Sequence, residues 1–145
     1  MRPPLFCKSF STHSRPALEV LYPDPPKADA DVEIDIIAGE LRNVNWLKDQ
    51  DMLPSVVPKA RVMVYSYDSK WHMDAPRTRL SIVGEDLIRS VHGHRQGHTD
   101  RPIIFIGHSL GGNVILNGLL YANSEPEFSY LPKLIAGLVF LGSPF

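Results

Sequence analysis

Apolar residues in this chain gather into short runs, separated by longer segments, one of which has apolar positions three or four apart. The runs are Leu18–Tyr22, Val32–Ala38, Arg61–Tyr67, Ile103–Ile106 and Leu134–Leu141. A run of this length that is apolar on both faces fits a strand covered on each side, as in a parallel sheet. Leu18–Tyr22 is stopped by the Pro23–Pro26 cluster, and Glu33 and Asp35 interrupt the second run. Thr78–Val91 carries Leu80, Val83, Leu87 and Val91 at the spacing of an amphipathic helix, with Glu85 and Arg89 as an i,i+4 pair on its outer face. Leu41, Val44 and Leu47 predict a helix within Leu41–Leu53, ending before Pro54. A third helix is expected from Leu110 to about Tyr121, then a loop over Asn123–Pro132 and a turn at Gly142-Ser143-Pro144. Strands alternating with helices imply right-handed crossovers and a mostly parallel sheet, an α/β fold.

Composition narrows the function. A chain of 145 residues is long enough for one domain with a buried core. Its formal charge of −1 supplies no electrostatic reason to bind nucleic acid. The single cysteine, Cys7, excludes an internal disulfide framework. No apolar run approaches the roughly 20 residues of a transmembrane helix. Residues 1–17 hold Arg2, Lys8, Arg15 and several hydroxyl residues without an acid, a composition of organelle transit segments and of disordered tails alike. The domain is therefore expected over residues 18–145. No phosphate loop, dinucleotide fingerprint or other cofactor signature is present, so no cofactor is expected.

The candidate chemistry lies in Arg101-Pro-Ile-Ile-Phe-Ile-Gly-His-Ser-Leu-Gly-Gly-Asn113. Gly107-His108-Ser109-Leu110-Gly111, between a predicted strand and a predicted helix, reads as a nucleophile elbow. Such a turn lifts a serine hydroxyl above the end of a sheet, with Gly107 and Gly111 leaving space where strand and helix come together, and the second glycine, Gly112, makes the elbow more specific. Ser109 is expected in strained backbone geometry. The Leu110 N–H, at the helix start, would donate to a developing oxyanion, reinforced by the helix dipole.

A serine hydroxyl also needs a base, and neither histidine nor aspartate follows Ser109. Glu125 and Glu127 are expected in a loop leading away. His92, His94 and His98 fall between the second helix and the serine strand, roughly 15 Å from Ser109 across the sheet. His92-Gly93-His94 with His98 reads as a solvated loop and not a metal site. His108 should point away from the serine hydroxyl, and His13 lies in the tail. His72, after the Arg61–Tyr67 strand, is the histidine on the correct edge, where Asp68 and Asp74 are expected to cap turns. Trp46 and Trp71 read as packing residues, and Tyr65 and Tyr67 as residues that line the cleft from one face.

From about Ala17 to Phe145 the chain resembles lipase-like α/β-hydrolases of the serine active-site-containing protein group, which in fungi also lead larger repeat or nucleotide-binding proteins. The resemblance rests on Leu18-Glu-Val-Leu-Tyr22, Asp35-Ile-Ile37, Trp46-Leu-Lys-Asp49, Ala60-Arg-Val-Met-Val-Tyr-Ser-Tyr-Asp68, Arg101–Asn113 and Val139-Phe-Leu-Gly-Ser-Pro144. It implies an α/β-hydrolase fold, incomplete at its C-terminus, and hydrolysis of an ester or lipid-like substrate by Ser109. It also implies a mitochondrial, endoplasmic-reticulum or membrane-associated setting. Two departures stand out against the group. Its second oxyanion donor comes from a His-Gly loop that Ala38-Gly39-Glu40 lacks, and its triad acid and histidine come from strands later than Leu134–Leu141. The expectation is thus a hydrolase-like domain impaired as this chain stands. The rival is a non-catalytic interaction module, or the leading piece of a larger signalling or membrane-associated protein. An apolar final strand at a sheet edge predicts self-association.

Overall fold

The computed structural model describes residues 16–23, 32–39, 45–67, 77–95 and 100–144. Strands β1 (Ala17–Tyr22), β2 (Ile34–Gly39), β3 (Ala60–Ser66), β4 (Ile103–His108) and β5 (Ile135–Leu141) form one sheet in the order β1-β3-β2-β4-β5. β1 runs antiparallel to β3, and all other pairs are parallel. The α/β class read from the alternating pattern is the class observed.

The chain winds one way from β2 to β3, then passes back over β2 to β4 and on to β5. Right-handed crossovers in opposite directions place their helices on opposite faces, and the packing follows that rule. α1 (Asn45–Lys48) and α2 (Leu53–Val56) cover one face, where Leu47 joins Ile36, Ala38, Val62 and Ile106. α3 (Arg77–His94) and α4 (Gly111–Ser124) cover the other, burying Leu87, Ile88, Val114 and Ile115 against Ile37, Met63, Tyr65 and Phe105. Each large side chain removed from water contributes about 1.5–3 kcal/mol before chain entropy is counted.

Three sequence expectations need correction. The helix predicted within Leu41–Leu53 is two short helices with a turn between them in its described part, and the second begins at Leu53 and contains Pro54. Proline fits a first helical turn because the N–H it lacks would have no partner there. The helix predicted over Thr78–Val91 extends through His94, so His92 and His94 are helical and not in a loop. Arg89 does not pair with Glu85; its guanidinium donates to the Tyr121 hydroxyl and lies over the Tyr121 and Phe128 rings. No helix among the described residues is long and apolar enough to cross a membrane.

Candidate functional site at the end of strand β4

β4 lies between β2 and β5, and the winding reverses between β2 and β4. In open α/β sheets a crevice forms at such a reversal, beyond the carboxyl ends of the strands. Gly39 ends β2 in register with Gly107 of β4, so the two strands finish side by side there.

Ser109 stands between β4 and α4 with φ 52°, the single non-glycine residue with positive φ among those described. The turn is tight enough to exclude side chains around it. A Cβ on Gly107 would come within 2.6 Å of the Gly112 backbone, and one on Gly111 within 2.7 Å of the Gly39 carbonyl oxygen. The serine N–H donates to the Leu141 carbonyl of β5 at 2.9 Å, which fixes the turn from the neighbouring strand. Leu110 has helical angles (φ −63°, ψ −20°) at the start of α4. Its carbonyl accepts from the Val114 N–H, while its own N–H has no acceptor among the described residues. A partly buried hydroxyl beside a helix-start amide without an acceptor is an arrangement that can receive an electrophilic carbonyl.

What the described residues do not bring to Ser109 is a base. No histidine, aspartate or glutamate among them hydrogen-bonds its hydroxyl. His108 is exposed at the end of β4. His92 packs edge-on against Phe128; its Nδ1 lies 2.8 Å from the Tyr130 hydroxyl and its Nε2 3.8 Å from Glu127. Glu127 thus serves the segment after α4, as does Glu125, whose N–H closes the helix on the Tyr121 carbonyl. His94 ends α3 and Arg95 follows it beside the start of β2, since Arg61 donates to the His94 carbonyl at 3.2 Å and Arg95 pairs with Asp35. That is the sheet edge opposite Ser109. Cys7, His13, Asp68, Trp71, His72, Asp74 and His98 lie outside the described residues.

Tyr65 and Tyr67 are core residues and not a cleft wall. Their rings lie 5.9 Å apart, and both are buried. Burial first, then the hydrogen bond from its hydroxyl to Asp86 at 2.7 Å, holds the Tyr65 phenol above its ordinary range. Trp46 packs, partly buried, against the α1 face of the sheet, as expected. Among the described residues no group of histidine, cysteine or carboxylate side chains is placed to hold a metal.

Sequence reading missed the ion cluster at the far edge. Asp35 is fully buried and receives Arg61 at 2.9 Å, Arg95, and Arg101 at 3.3 Å. An isolated carboxylate in that position would be prohibitively costly; three guanidinium groups make it tenable. The signal was an aspartate within an apolar run, a position that requires a charge partner.

No family model matches the chain. Among curated proteins it is similar to Protein SERAC1 of Homo sapiens, 33% identical over 92 residues that cover 60% of this chain and 14% of that protein. Protein SERAC1 of Bos taurus is 30% identical over 92 residues, and that of Danio rerio 31% over 94, each again covering 60% of this chain and 14% of the relative. The matched stretch therefore spans about a seventh of the length of these relatives, and the similarity to SERAC1 is confined to it.

Proposed function

We propose that this chain carries the nucleophile half of a serine hydrolase-like domain of lipase or esterase type. The observation that carries the reading is Ser109 at φ 52° on the strand–helix turn beside the reversal of the sheet, followed by a helix-start N–H without an acceptor. Ser109 is the nucleophile of an elbow shaped by Gly107, Gly111 and Gly112, with His108 turned to solvent. Its oxygen attacks the acyl carbon of an ester, and the Leu110 N–H donates to the oxygen that becomes negative. The ester C–O bond then breaks, the alcohol leaves with the proton taken from the serine, and water releases the acid in the reverse sequence. The base that carries the proton comes from outside the described residues. Similarity to SERAC1 over part of the chain supports the hydrolase-like reading, and an ester or lipid-like compound at a membrane-associated location is the substrate proposed.

A second reading is favoured by β5, whose Leu138, Val139 and Leu141 are 39%, 42% and 42% exposed. Here the domain packs against other protein, a second copy included, and the serine is never acylated. A fluorophosphonate probe separates the two. Covalent labelling of the intact chain that disappears in Ser109→Ala supports the enzyme. Wild-type protein that stays unlabelled at high probe concentration, while folded by circular dichroism, overturns it.

A further inference from the structure

The turn after β5 wraps the first turn of α4. Gly142 has φ 62°, and the chain then passes so close to the helix that the Cβ position of Gly112 lies 2.2 Å from Ser143 Oγ and 2.9 Å from the Phe140 ring. Asn113 Nδ2 donates to the Pro144 carbonyl at 3.0 Å and so ties the end of this turn to the helix. The start of the turn is tied as well, because the Leu141 carbonyl accepts the Ser109 N–H at 2.9 Å. One short segment, Leu141–Pro144, is thus fastened on both sides of the helix start.

Two polar atoms are enclosed at this contact without a partner, Asn113 Oδ1 and Ser143 Oγ. Neither atom is accessible, so neither touches a substrate.

We propose that Asn113 is a positioning residue for Ser109. Its carboxamide holds the Leu141–Pro144 turn over α4, and that turn presents the carbonyl which fixes the serine backbone and keeps its φ positive. The proposal rests on the nucleophile reading of Ser109 for its effect on chemistry, but the clamp itself can be tested without it.

The experiment compares wild type with Asn113→Asp, which keeps the shape and replaces the Nδ2 donor by an oxygen. Amide hydrogen exchange is read at Ser109 and, as the internal control, at Phe105 in the core of β4. The expected result is exchange at Ser109 at least tenfold faster with Phe105 unchanged. Fluorophosphonate labelling at saturating probe should fall about tenfold, with the half-saturating probe concentration unaltered. Unchanged exchange at Ser109 overturns the proposal. So does equal acceleration at both amides, which would make Asn113 a residue of general stability. Asn113→Ala, read in the same way, keeps the test available if the new charge prevents folding. Wild-type protein that never labels would sink the nucleophile reading and leave the exchange comparison intact.

Discussion

An L-residue at φ 52° is held there at a cost of about 1–2 kcal/mol, because its Cβ crowds the following carbonyl. At Ser109 the hydrogen bond to Leu141 and the walls formed by Gly107, Gly111 and Gly112 impose that angle. The strain is therefore separable from the hydroxyl. Ser109→Gly should raise stability by about 1 kcal/mol, the relief at a left-handed position exceeding the entropy that glycine adds to the unfolded chain. Urea unfolding monitored by circular dichroism measures this, with Ser109→Ala as the reference that keeps the strain. A glycine variant less stable than the alanine variant would show that the turn is not strained.

Between elements, α3 and α4 meet backbone to backbone at a pair of glycines. A Cβ on Gly84 would sit 2.6 Å from the Gly118 nitrogen, and one on Gly118 2.8 Å from the Gly84 carbonyl oxygen. Both obstacles are backbone and cannot rotate aside. Gly84→Ala and Gly118→Ala should each destabilise the protein by about 1–3 kcal/mol, although alanine is the better helix former. Thermal unfolding checks this, and a rise in midpoint for either variant would mean that the helices lie further apart. Elements of this length were readable from sequence because apolar periodicity reports a local property. α3 is legible by its spacing, β4 by being apolar on both faces, and α4 by following the elbow. The segment of α1 and α2 is harder to read because Pro54 suggests an end, although the same ring suits a beginning. The serine turn was legible for a similar reason. Most of the glycines that shape it lie within three residues of Ser109, so the requirement is written in adjacent letters.

Over the whole molecule the opposite holds, and the Asp35 cluster was invisible. Its partners Arg61, Arg95 and Arg101 lie 26, 60 and 66 residues away along the chain. No local pattern marks them as one site, and only the sheet brings them together. Asp35 belongs to β2 and Arg61 to β3, while Arg101 precedes β4 and Arg95 follows α3, so the cluster joins four elements at the edge where the strands begin. Removing one side of a buried ion network leaves the other charges without compensation. Asp35→Asn should cost about 3–5 kcal/mol, a large part of the stability of a domain of this size. A urea midpoint close to that of wild type would refute this.

The ion cluster and the serine stand at opposite ends of the same strands. Asp35 and Gly39, the residue that meets the serine turn, are four steps apart on β2, roughly 13 Å. Groups so separated, with no common partner, change the free energy of the chain independently. Drift at the serine edge, including loss or replacement of the hydroxyl, therefore need not touch what keeps the chain folded. The strands thus carry two addresses, one where the hydroxyl can be exchanged and one where the buried charges hold the sheet, and a change written at the first is not read at the second.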